Sequence, residues 1–227
     1  MISSKIGPSL SVLLMCSFLF VVRIEAASIY IENASFEEPL LPDHVVSDAN
    51  TVSFTIPGWS AFGNREGIYN PSDIQFAGAS DQDPDLDTPI PDGKNVAFIE
   101  TSPGTGIYQV LGATLQTNVE YTLTASFGDR ADRTGLVEYR MQLFAGNTEL
   151  AIATGTLVDG QWVTDQAVAS IGSSHPETGQ PLRIEIWRAA GSDQLAIDLV
   201  KLEVVPEPTG LLIALTGFAS LLLWQVR

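Results

Sequence analysis

The chain has 227 residues, with 27 acidic and 11 basic side chains, a formal charge of −16 and 45% hydrophobic residues. That apolar fraction supports a real core and excludes a disordered acidic tail. Residues 27–207 alone carry 26 acids against 8 bases, and such a surface repels phosphate backbones, which excludes a nucleic-acid-binding role.

Residues 1–26 read as a secretory signal peptide that forms a helix. Lys5 supplies the positive region, Leu10 to Val22 the apolar stretch, and Ala26 with Ala27 the small residues of a cleavage point. The apolar stretch is shorter than the roughly 20 residues that a spanning helix needs, and a retained N-terminal anchor is the competing reading. Cys16 is the only cysteine and leaves with the signal, so the mature domain folds without disulfides in a compartment that permits them.

Residues 27–204 predict an all-β domain. Strands fit at 28–36, 51–56, 73–77, 94–100 and 106–112, separated by Gly, Pro, Asn and Asp. Ala77 to Lys94, with Asp81, Asp83, Asp85, Asp87 and Asp92, reads as an exposed acidic loop; Leu86 stands where an EF-hand needs glycine. Val119 to Phe127 alternates most clearly, with Val119, Tyr121, Leu123, Ala125 and Phe127 on one face. Val137 to Leu143 repeats the pattern, and Ala145-Gly146-Asn147 turns it into a hairpin with 149–157. Strands at 161–171, 181–188 and 195–204 bring the total to about eleven. One wet face per sheet makes a jelly-roll β-sandwich of two antiparallel sheets the economical architecture.

Residues 205–227 form a second address. Val205-Pro206-Glu207-Pro208 ends the last strand, an apolar helix-like run from Leu211 to Trp224 follows, and Arg227 closes the chain. This tripartite pattern resembles the PEP-CTERM protein-sorting signal, although a single Arg stands where that signal usually has a basic cluster. The resemblance implies recognition and cleavage near Pro206, Glu207 and Pro208 by an exosortase, with residues 211–224 in the membrane beforehand. A plain C-terminal anchor is the alternative.

Asp198 alternates with Val200, Leu202 and Val204, which places a carboxylate on an apparent core face, where it needs a cation or hydrogen bonds. Trp187 alternates with Arg183 and Glu185 on a polar face, and Trp59 follows Pro57-Gly58 in a turn. Flat exposed rings stack on sugars, so Trp187 and Trp59 are the candidate ligand-binding residues, with the core as the competing place for Trp59 and for Trp162. Catalytic signatures are missing: His44 and His175 lie in Pro-adjacent turns, and no nucleophile motif accompanies them.

Asn33-Ala34-Ser35-Phe36-Glu37, Pro57-Gly58-Trp59, Pro91-Asp92-Gly93, Ile107 to Leu111, Tyr121 to Thr124 and Ile197 to Leu202 follow an order similar to the galactose-binding-like jelly rolls of exported bacterial proteins, including certain carbohydrate-binding modules. That resemblance implies a structural calcium ion between first and last strands, held by Glu37 and Asp198. The expectation is a non-enzymatic, exported cell-surface or extracellular-matrix protein acting on exopolysaccharide as a binding or structural module. A secreted carboxylate-dependent glycan hydrolase or lyase is the alternative.

Overall fold

The computed structural model describes residues 25–41, 52–63, 65–72, 74–77, 90–100 and 102–207. The signal segment 1–24, His44, most of the acidic loop, Pro208 and the apolar run 211–224 lie outside the described residues. Within them there are twelve strands and no helix, and so none long and apolar enough to cross a membrane. The flanking helices expected at the two ends fall on residues outside the described ones.

The strands are β1 (Ala27–Ile29), β2 (Val52–Ser53), β3 (Ser60–Ala61), β4 (Glu66–Tyr69), β5 (Val96–Ile99) and β6 (Gly106–Thr114). Six longer or equal ones follow: β7 (Val119–Asp129), β8 (Val137–Ala145), β9 (Thr148–Thr156), β10 (Trp162–Ile171), β11 (Pro181–Gly191) and β12 (Leu195–Pro206). One antiparallel sheet runs β10-β7-β12-β5-β4-β2, with β1 also on β12, and the other runs β3-β6-β11-β8-β9. β5 and β1 share one edge of β12 without competing, since β5 pairs at Leu195 to Ile197 and β1 at Leu202 to Val204.

The alternating sequences bury their apolar faces between the sheets. Tyr121, Leu123, Ala125 and Phe127 of β7 meet Tyr139, Met141 and Leu143 of β8 and Leu182, Ile184 and Ile186 of β11 in one cluster. The Phe127 and Tyr139 rings stack at 3.9 Å, and the Tyr139 hydroxyl donates to Asp165 Oδ2 at 2.7 Å. Each such ring contributes about 2–3 kcal/mol of apolar burial. The predicted β8–β9 hairpin is present, turning at Gly146 with φ +55°.

The chain's first half departs from the sequence reading. The expected strand at 28–36 stops at Ile29, because Asn33 (φ +48°) and Phe36 (φ +60°) turn the backbone away from extension. At 51–56 only Val52–Ser53 is a strand, and β3 and β4 went unpredicted because they are short. Residues 74–77 form a turn, with the Gln75 and Phe76 amides both donating to Ser72 O. Phe76 is buried all the same, in a second cluster with Tyr69, Ile90, Val96, Phe98 and Ala196, against which Trp162 packs. That cluster covers the outer face of the seven-stranded sheet at β4, β5 and the start of β12, so this part is buried on both sides, while Thr122 and Thr124 of β7 are half-buried and Lys201 and Glu203 of β12 are exposed on the expected wet face.

Candidate active site

Both functional regions lie on that covered outer face. β12 places Asp198 there by a device that strict alternation hides. Leu199 has φ +52°, and the β12–β7 register shifts between Asp198 and Lys201. This bulge reverses the phase, so Val200 and Leu202 face the main core while Asp198 pairs across from Ser126 on the outer side. The inward phase read from the sequence is thus corrected, yet Asp198 is fully buried, beneath residues 90–95.

Glu37 reaches the same loop. Asp198 Oδ2 accepts from the Asp92 amide at 2.8 Å, and Oδ1 from the Leu199 amide at 2.6 Å. Glu37 Oε1 accepts from the amides of Lys94 and Asn95, each at 2.9 Å. Gly93 sits between these donors at φ +59°, and a Cβ there would lie 2.2 Å from Glu37 Oε1. Burial, opposed by the Asp92 and Leu199 amides and reinforced by Asp92 and Glu37, pushes the Asp198 carboxyl up to about 8. Burial also raises Glu37, against the amides of Asn95 and Lys94. The two predicted carboxylates are therefore brought together as a clamp on one loop. Among the described residues no group of three or more His, Cys, Asp or Glu is placed to hold a metal.

Further along the same face lies a cavity of about 180 Å³. Its apolar wall is aromatic: Phe98 meets Phe54 edge-on at 5.9 Å and Tyr69 edge-on at 5.7 Å. The Tyr69 hydroxyl is buried with no hydrogen-bond partner, and burial raises it well above the ordinary tyrosine value despite Arg130 nearby. Its polar wall is Arg65, Glu100, Arg130, Arg133 and Gln194. Arg130 donates from Nε and Nη2 to Asp132, at 2.8 and 2.5 Å, and from Nη1 to Gln194 Oε1 at 3.0 Å. Arg65 and Arg133 each take one oxygen of Glu100. Sequence reasoning missed this whole set, because its members are scattered from 54 to 194 with no shared motif.

Next to Arg130 in the chain sits a further buried acid. Asp129 ends β7 on the phase of Phe127 and is 0% exposed, with no side-chain partner and only the Arg130 amide close enough to favour its charge. Burial, then Asp193 and Asp159, push its carboxyl up to about 7.

The remaining predicted residues stand apart. Trp59 is buried, packs on Phe36 at 5.4 Å, and commits its N–H to the carbonyls of Glu32 and Asn33; it is a core residue and not a sugar platform. Trp187 is half-buried on the outer face of the five-stranded sheet, with its N–H on Gln142 at 2.7 Å and Arg140 4.7 Å over its ring. Trp162 stacks near Phe76 at 4.8 Å. Ala26 is exposed just before β1, Pro206 ends β12, and the Glu207 amide donates to Asn118 O.

A family model described as HpiC1-like, HpiC1 cyclase, matches residues 27–203. The chain belongs to the HpiC1-like cyclase family. Among solved structures, the Stig cyclase Fisc from Fischerella sp. TAU in complex with (3Z)-3-(1-methyl-2-pyrrolidinylidene)-3H-indole aligns at 27% identity and a TM-score of 0.68, over 81% of this chain and 100% of that one. A cyclase from Fischerella sp. TAU in complex with 4-(1H-indol-3-yl)butan-2-one aligns at 26% identity and a TM-score of 0.65, over 80% and 98%. The CBM22-1 xylan-binding domain from Paenibacillus barcinonensis Xyn10C aligns at 14% identity and a TM-score of 0.45, over 71% and 99%. Among curated proteins none matches. Membership in a cyclase family overturns the expectation of a non-enzymatic module.

Proposed function

We propose that the protein is a cyclase that closes a ring on an aromatic substrate bound in the Phe54–Tyr69–Phe98 cavity. The observation that carries this is an aromatic wall with a buried, unpartnered hydroxyl in it. An unpaired buried polar group costs about 1–3 kcal/mol, and a substrate acceptor atom reaching Tyr69 removes that cost. Phe54 and Phe98 offer edge and face contacts to a π-rich substrate. Holding a flexible chain folded against a ring replaces part of the entropic barrier to closure. The indole ligands of the two Fischerella cyclases support the choice of an aromatic heterocycle.

The test is calorimetric titration of the full chain, purified in mild detergent, with 4-(1H-indol-3-yl)butan-2-one. Phe98→Ala and Tyr69→Phe should each weaken binding about tenfold, a change of about 1.4 kcal/mol. Absence of binding, or binding that neither variant alters, would sink the assignment of this cavity.

Calcium belongs to the same proposal. A buried and a half-buried carboxylate, both raised first by burial and Asp198 also by Glu37, suit a hard cation, with backbone carbonyls and water completing six to eight oxygens. Glu37 and Asp198 would hold it, and its charge would tie the 90–95 loop to β12. Export through the N-terminal segment and sorting through residues 205–227 complete the proposal, supported by the sequence of those ends.

A further inference from the structure

The cavity is also unusual in charge. Residues 27–207 hold only 8 bases among 26 acids, yet three of them, Arg65, Arg130 and Arg133, line this one space. The lining opposes them with a single carboxylate, Glu100. Arg65 Nη2 holds its Oε2 at 2.7 Å and Arg133 Nη1 its Oε1 at 3.2 Å, so Glu100 brackets two guanidiniums while cancelling one charge. Asp132 neutralises Arg130, whose Nη1 also occupies Gln194 Oε1, the amide's acceptor. A guanidinium has five N–H donors and no acceptor. Tyr69 adds one more free donor. Buried Asp193 also stands behind Arg133, its Oδ1 3.9 Å from Nη1. The polar wall is therefore rich in donors and poor in acceptors facing the cavity.

We infer that the substrate of this cavity is an aromatic compound bearing a carboxylate, seated on Arg65 and Arg133 with its ring against Phe54 and Phe98. The inference rests on reading the cavity as the substrate site. A neutral acceptor satisfies Tyr69 but leaves unused the arginine N–H donors that Glu100 does not occupy, and an amine finds Glu100 as the one carboxylate of the lining, already shared by two guanidiniums. A carboxylate satisfies both guanidiniums in the planar, two-oxygen geometry that arginine favours.

Three indole probes of similar size separate these cases by calorimetry on the full chain in detergent at pH 7.5: 4-(1H-indol-3-yl)butanoic acid, 4-(1H-indol-3-yl)butan-2-one and 3-(1H-indol-3-yl)propan-1-amine. The acid should bind about tenfold tighter than the ketone, and the amine weakest of the three. Raising NaCl to 0.5 M should erase most of the acid's advantage and spare the ketone, because the arginines are partly exposed, at 56% and 42%. The Arg65→Gln/Arg133→Gln double variant should equalise acid and ketone, and the salt arm needs no variant at all. An acid no tighter than the ketone overturns the inference while ketone binding keeps the cavity assignment standing. Failure of all three probes removes both.

Discussion

Asp129→Asn probes the cost of the buried charge at the end of β7. The wild-type carboxyl has no side-chain partner and is pushed up to about 7 from its ordinary 3.8, first by burial and then by Asp193 and Asp159, against the Arg130 amide. The native state therefore binds this proton more tightly than the unfolded chain does. Below about pH 3.8 the group costs nothing; as pH rises through the window from 3.8 to 7 stability falls, and above 7 the full cost is present. About three units at 1.36 kcal/mol each give about 4 kcal/mol, an upper bound because water screens a group at a strand end. Asparagine keeps the shape and removes the charge. Urea unfolding followed by circular dichroism at pH 5 and pH 8 should show the variant gaining on wild type by up to about 3 kcal/mol between those conditions. Other titrating groups are common to both proteins and drop out of the difference. Parallel pH profiles for the two proteins would refute the buried, unpaired charge.

Further outcomes follow from the clamp, the core and the tail. Gly93→Ala forces a Cβ into the Glu37 carboxyl at a positive φ and should lower stability by about 2 kcal/mol, read as a fall in Tm by calorimetry. EDTA should lower the Tm of the wild-type chain and added calcium should restore it; an unchanged Tm would dismiss the ion at Glu37 and Asp198. Trp59→Ala should cost about 3–5 kcal/mol in urea unfolding, since it empties a buried ring site, whereas half-buried Trp187→Ala should cost clearly less. Mass spectrometry of the exported product should find a C-terminus near Pro206 to Pro208, and an intact Leu211 to Arg227 would dismiss cleavage.

The two-sheet architecture was legible because β7 and β8 repeat apolar and polar residues at period two over most of their length, long enough for pattern to outweigh local exceptions. The short strands β2, β3 and β4 offer two to four residues each, too few to show any period. Glu37 and Asp198 were legible as a pair through family resemblance, but Asp198's side of the sheet was not, since nothing in Asp198-Leu199-Val200 announces a bulge. Trp59 shows the opposite limit: a turn sequence, Pro57-Gly58, says where the backbone bends and leaves open which way the ring swings. The cavity was illegible because its function resides in an assembled surface. Ring closure asks for a shaped aromatic space and a few donors, and those come from β4, β5, the end of β7 and the start of β12 without any linear signature.

The bulge at Leu199 makes β12 two half-strands with separate duties. Before it, Gln194, Ala196 and Asp198 face the covered side, where they touch the cavity, the second cluster and the clamp. After it, Val200 and Leu202 belong to the main core, and β1 pairs alongside at Leu202 to Val204. One extra residue thus acts as a phase insulator between a recognition half and a scaffold half. The outward positions ahead of it, Gln194, Ala196 and Asp198, can vary apart from Leu195 and Ile197, which stay in the main core, and deleting Leu199 would fuse the two halves and force Asp198 to exchange sides with its neighbours.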